Sequence, residues 1–192
     1  MSSPFLTLAN QLTLLRMGLA PLLVVLVLHG RMAFALAVFV VAGITDALDG
    51  LIARRGGQQT TLGAMLDPVA DKVLMTASFI ALTWGAGVAI PVPAWLTVVI
   101  LSRDAIILVS VVIVNMTLGR RIFYPSRLGK LATVAQLMTV GFVLLANAAG
   151  AGSALLRPLF AATLVLTVGS ALHYTYVAST RGPGRVPEEP TG

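Results

Sequence analysis

Apolar runs of about 20 residues, long enough to carry a helix across a bilayer core, recur along nearly the whole of this chain. Lipid offers the backbone no water to bond, so such a run forms a helix, whose hydrogen bonds are internal. The composition agrees: 57% of the 192 residues are hydrophobic and only 10% are charged, against roughly 25% charged in soluble domains. The pattern predicts an all-α, polytopic membrane protein built as a six-transmembrane-helix bundle.

The six predicted spans run from about Leu8 to His29, Met32 to Arg55, Leu62 to Trp84, Pro93 to Met116, Leu128 to Ala149 and Ala154 to Val177. Residues 1–179 read as one transmembrane domain. Residues 180–192, rich in Pro, Gly and charge, read as a disordered cytoplasmic tail. The first span resembles a signal peptide in position, but its first basic residue, Arg16, lies inside the apolar run and more spans follow. It reads as a retained helix.

Basic residues give the orientation. Arg54 and Arg55 follow span two; Arg120, Arg121, Arg127 and Lys130 follow span four; Arg181 and Arg185 follow span six. The opposite loops carry only Arg31 and Arg157. The positive-inside rule then places both termini in the cytoplasm. The net charge of +6 is accounted for by this pattern and is weak support for nucleic-acid binding. There are no cysteines, which excludes disulfides and thiolate metal sites.

Against this background the carboxylates stand out. Five of the seven fall in predicted spans, and four lie in the 26 residues from Asp46 to Asp71. An intramembrane carboxylate costs a few kcal/mol even on lenient scales and marks function by default. Four together repel unless cations neutralise them. Asp46 and Asp49 are spaced i, i+3, and Asp67 and Asp71 are spaced i, i+4, so each pair shares a helix face. The short link predicts that spans two and three are antiparallel neighbours with the four carboxylates between them. Oxygen-only ligands suit Mg²⁺ or Mn²⁺. Four carboxylates suffice for two ions that share ligands and clamp a phosphoryl group. Asp46 precedes Arg54 by eight residues, so it lies about 12 Å from the cytosolic helix end. Gly50 and Ala53 remove bulk one turn past the first pair, and Arg54 can grip a phosphate oxygen. Gly63 opens span three.

The stretch fills the pattern D-x2-D-G-x2-A-R-x8-G-x3-D-x3-D at Asp46, Asp49, Gly50, Ala53, Arg54, Gly63, Asp67 and Asp71, without departure. It resembles the signature of the CDP-alcohol phosphotransferase family. That resemblance implies transfer of a phosphatidyl or similar group from a CDP-linked donor to an alcohol, with release of CMP. It implies that Asp46, Asp49 and Asp67 hold one metal ion and Asp49, Asp67 and Asp71 the other. Asp71 would also be the base for the acceptor hydroxyl. CDP would lie against Gly50, Ala53, Arg54, Thr60 and Gly63, helped by Asn10 and Thr13 near the start of span one. A homodimer is implied as well.

The acceptor must be read elsewhere. LANQLTLLRMGLAPLL, at Leu8 to Leu23, resembles the N-P-N-x-L-T-x-x-R-x-x-x-x-P opening of the glycerophosphate and cardiolipin branches, with the first Asn-Pro absent. The segment around Arg103-Asp104 is similar to the cardiolipin synthases of the eukaryotic type, and Pro125 to Leu137 to the cardiolipin branch. The resemblance therefore favours phosphatidylglycerol as acceptor, with glycerol 3-phosphate as the alternative. Arg103, Arg127 and Lys130 would hold either anion. Arg103-Asp104 also reads as a structural intramembrane ion pair. Lys72, next to Asp71, reads as snorkelling or paired, and Asn115, Gln136 and Asn147 as interhelical hydrogen-bond formers.

Two other readings compete. An intramembrane prenyltransferase also binds Mg-diphosphate between Asp-rich helices, but its motifs lie on distant helices of a larger bundle. A divalent-cation channel or carrier explains the carboxylates but not Gly50, Ala53, Arg54 and their spacing. The lack of a transit-type segment before span one predicts a bacterial inner (cell) membrane, with the site facing the cytoplasm.

Overall fold

A computed structural model describes the backbone of residues 8–56, 61–118, 127–150, 152, 154 and 156–180, and the side chains of residues 14–46, 72–110, 128–150, 152, 154 and 156–174. Six helices account for nearly all of it: α1 Leu8–Leu28, α2 Met32–Gly56, α3 Thr61–Trp84, α4 Ala94–Leu118, α5 Arg127–Ala149 and α6 Leu156–Thr180. The described residues contain no strand. Every boundary falls within a few residues of the sequence expectation. α6 runs to Thr180, where the sequence places the start of the tail; residues 181–192 lie outside the described residues.

The helices stop where the chain chemistry requires it. After α1, Gly30 adopts φ 68°, a left-handed conformation that glycine enters without steric cost. Its N–H donates to Val27 O at 3.0 Å, and the Arg31 N–H donates to Leu26 O at 2.8 Å. These two bonds form a Schellman cap. Gly87, in the link between α3 and α4, lies directly on this cap. A Cβ at Gly87 would stand 2.5 Å from both Gly30 N and Val27 O, so only glycine fits.

The α3–α4 link is fastened from a third direction. Asn147 of α5 accepts from the Ala89 and Ile90 N–H groups, both at 2.9 Å, and donates to Ile90 O at 3.0 Å and Val143 O at 2.8 Å. The Val92 N–H returns to Leu82 O at 3.1 Å. One amide thus satisfies three backbone groups that no helix reaches.

The short link predicts α2 and α3 as antiparallel neighbours; among the described residues α1 lies against both, and the side chains of the motif-bearing ends of α2 and α3 beyond Asp46 lie outside them. The α1 stripe Arg16, Ala20, Leu23 and Val27 is buried at i, i+4, i+7, i+11 spacing, narrow enough for close helix approach. α5 packs on α6 and α2, and α4 on α6 and α3. The Phe39 ring of α2 lies over Gly141 of α5. Buried hydroxyls and an amide join α5 to α6, with Thr139 to Thr163 at 2.8 Å and Gln136 to Thr167 at 3.4 Å. This is the interhelical bonding expected of Gln136; Asn147 instead bonds the α3–α4 link and its own helix, and the Asn115 side chain lies outside the described residues.

The outward faces are apolar. Leu22, Phe34, Ile44, Ile80, Val98, Ile106, Phe142, Val165 and Leu172 are among many large side chains left exposed. Two described helical segments, Leu128–Ala149 and Leu156–Tyr174, are long and apolar enough to cross a bilayer. Shorter apolar helical segments cover Leu14–Leu28, Met32–Asp46 and Lys72–Trp84.

Asn147→Ala leaves the Ala89 and Ile90 N–H groups without their acceptor and should destabilise the fold by about 1–3 kcal/mol. Thermal unfolding in detergent checks this, and an unchanged midpoint would mean that water replaces the amide.

Candidate functional site

Three buried stripes lead toward the acidic motif. On α2, Ala35, Phe39 and Ala42 are buried, and the same register continues to positions 46 and 49. On α3, Leu74, Met75 and Ser78 are buried, and the register runs back to positions 71 and 67. On α1, Ala20 and Arg16 are buried, and the register runs back to positions 13 and 10. Sequence spacing puts positions 10, 13, 46, 49, 67 and 71 in the periodicity of these rows; Asp46 itself is half-exposed.

Asp46 is the motif carboxylate whose side chain is described. Arg16 of α1 reaches it, Nη2 to Oδ1 at 2.7 Å, with side-chain exposures of 1% for Arg16 and 52% for Asp46. A guanidinium that deep requires a charge partner, because desolvating an ion costs several kcal/mol. The half-exposed carboxylate keeps coordinating capacity beyond the oxygen engaged by Arg16.

A second charged group joins α3, α4 and α6. Arg103 donates through Nη1 to Asp104 Oδ1 at 2.7 Å and through Nε to Ser170 Oγ at 3.2 Å. The other Asp104 oxygen pairs with the Lys72 ammonium. Arg103 and Asp104 are 9% and 11% exposed, whereas Lys72 is 43% exposed. Adjacent helix positions do not face each other, so the Arg103–Asp104 pair rests on the reach of the arginine. Both the ion pair read at Arg103-Asp104 and the pairing read at Lys72 are present.

The remaining expected residues are placed by backbone. Asn10 and Thr13 lie in α1; Asp49, Gly50, Ala53 and Arg54 in α2; Gly63, Asp67 and Asp71 in α3; and Arg127 opens α5. Their side chains, and Thr60 altogether, lie outside the described residues. Lys130 is exposed near the start of α5. Among the described residues no group of three or more acidic, His or Cys side chains gathers. The chemistry of the donor set nonetheless fits a hard divalent cation: all four motif side chains offer carboxylate oxygens, and Asp46 retains exposed oxygen. An open apolar recess of about 380 Å³, lined by Val25, Leu26, His29, Arg31 and Phe34, sits at the α1–α2 turn, away from Asp46.

Sequence reasoning missed Arg16 as the partner of Asp46, Asp104 as the partner of Lys72, and Ser170 as a partner of Arg103. Arg16 carried a usable signal, since an ionisable residue inside an apolar run marks function by default. Ser170 carried none.

A family model for CDP-alcohol phosphatidyltransferase matches residues 6–173. The chain belongs to the CDP-alcohol phosphatidyltransferase family. Among curated relatives, "Cardiolipin synthase (CMP-forming)" of Rattus norvegicus is 38% identical over 185 residues, covering 88% of this chain and 60% of the rat protein. The protein of that name from Streptomyces coelicolor is 36% identical over 155 residues, covering 76% of this chain and 68% of its own length. A "Probable phosphatidylglycerophosphate synthase" of Mycobacterium tuberculosis is 36% identical over 145 residues, covering 72% of this chain and 66% of its own. The chain spans 60% and 34% of the rat and human cardiolipin synthases that it matches. Within this family member, Arg16–Asp46 and Lys72–Asp104–Arg103 connect the motif helices α2 and α3 to the rest of the bundle.

Asp104→Asn removes the counter-charge of the buried Arg103 and should cost about 3 kcal/mol. Lys72→Met should cost under about 1 kcal/mol, because the ammonium is well solvated. Denaturation of the two variants in detergent checks the ranking, and equal losses would show that Ser170 suffices for Arg103.

Proposed function

We propose that this chain transfers a phosphatidyl group from CDP-diacylglycerol to an alcohol and releases CMP, with phosphatidylglycerol as the acceptor. The observation that carries this reading is the full eight-position signature on α2 and α3, with buried Arg16 paired to its first carboxylate, Asp46. The named relatives support it.

The reading takes the chain as a single-domain, six-span bundle. Apolar side chains exposed on the described faces of the helices support that, since a water-facing surface of this kind would drive association. Both termini face the cytoplasm, and a bacterial inner membrane and a homodimer stay within the proposal.

In this reading Asp46, Asp49, Asp67 and Asp71 hold two divalent ions, Mg²⁺ or Mn²⁺. When bound, the ions polarise the diphosphate and stabilise charge on the departing phosphate. Gly50, Ala53 and Gly63 leave room for the donor, and Asn10, Thr13 and Thr60 help to seat it. Arg54 grips its phosphate oxygens. Asp71 takes the proton of the acceptor hydroxyl while that oxygen attacks the β-phosphorus. The bond to CMP breaks and CMP carries away the negative charge. Arg103, Arg127 and Lys130 attract the anionic acceptor. Arg103 does so while held by Asp104 and Ser170, which fixes its direction.

A second reading takes glycerol 3-phosphate as acceptor, favoured by the similarity to the mycobacterial protein. Purified protein with CDP-diacylglycerol and Mg²⁺ should release CMP when phosphatidylglycerol is added, and should stop when EDTA is added. Release with glycerol 3-phosphate alone would select the second reading. Cation flux without CMP release from either would select the channel.

Asp71→Asn should lower turnover by at least about 100-fold, in keeping with loss of a general base. Donor binding should persist, because three motif carboxylates remain. Unchanged turnover would remove Asp71 from proton transfer.

A further inference from the structure

Arg16 is the most deeply buried charged side chain described, and it pairs with a motif carboxylate. We propose that Arg16 is a positioning residue that fixes Asp46 as a metal ligand. The proposal rests on the reading of Asp46 as a ligand.

Two observations and a charge argument lead there. First, the geometry divides the carboxylate. Arg16 Nη2 engages Oδ1 at 2.7 Å, and half of the Asp46 side chain remains exposed. One side of the group is anchored and coordinating capacity remains on the other. Second, the anchor is immobile. Arg16 is 1% exposed on a helix that lies against both α2 and α3. Moving it off Asp46 would break a buried charge pair, so it stays when a metal ion arrives. Third, the charge balance calls for it. Two divalent ions neutralise four carboxylates, and the donor diphosphate then adds negative charge. A fixed cation beside the ligands offsets that charge without occupying a coordination position.

The alternative is that Arg16 only substitutes for a metal ion and competes with it. The two roles predict opposite signs. A competitor weakens metal binding, so its removal tightens binding. A positioning residue strengthens it, and loss of a group that orients a ligand typically costs 10–100-fold in affinity.

Mn²⁺ binding to the purified full-length protein, read from the electron paramagnetic resonance signal of free Mn²⁺, separates them without any turnover. Arg16→Gln should weaken binding by at least about 10-fold, and Arg16→Lys should recover part of the loss. A cycle with Asp46→Asn supplies the readout that a purely structural role would not produce. Once Asp46 is neutral, adding Arg16→Gln should cause no further loss, because the guanidinium acts through that carboxylate. The double variant also carries no stranded charge at this pair, so the comparison remains readable even where Arg16→Gln alone fails to fold. Unchanged or tighter binding in Arg16→Gln overturns the proposal, as does an equal loss in both backgrounds. Wild-type protein that binds no Mn²⁺, or an Asp46→Asn variant that binds as wild type does, overturns the metal-ligand reading and the proposal together.

Discussion

A charge among apolar helices has to meet its counter-charge, because the desolvation cost of an unpaired ion rivals the whole stability of a domain. The described part of this chain buries two guanidiniums, and each is matched to an aspartate: Arg16 to Asp46 and Arg103 to Asp104. The pairings dictate which helices must be adjacent. Arg16 draws α1 to the acidic end of α2. Asp104, by holding Lys72 as well, draws α4 to α3, and Arg103 reaches α6 through Ser170. The apolar stripes supply contact area, but Leu and Val pack equally well in many registers. The charges select one.

The same economy explains why α1 lies against both motif helices. A pair of helices carrying four carboxylates repels itself at that end. Placing α1 against both brings a cation to Asp46. The Schellman cap at Gly30 turns the chain from α1 into α2, and the two helices pack together with Arg16 on Asp46.

Helix positions were legible in the sequence because each end coincides with a local signal, such as Gly30 or the Gly85–Pro93 link. The acidic motif was legible because its spacing is dense and its cost in an apolar run is high. Spatial partnership was less so. Arg16 and Asp46 are thirty residues apart, Lys72 and Asp104 thirty-two, and Asn147 reaches residues 57 and 58 positions away. Helical periodicity says which face of a helix is buried but not which helix covers it, so α1 between α2 and α3 could not be read from it. Asp104 was visible beside Arg103. Its second bond, to Lys72, depends on how α3 and α4 cross.

The α3–α4 link, seated on Gly30 and gripped by Asn147, has a mechanical consequence. It rivets together one end of the bundle: the α1–α2 turn, the α3–α4 link and the last turns of α5. Tongs hinged at one end spread only at the other. Any widening of the bundle is therefore easier toward the opposite half, where side-chain charge pairs and not a backbone clasp hold the helices.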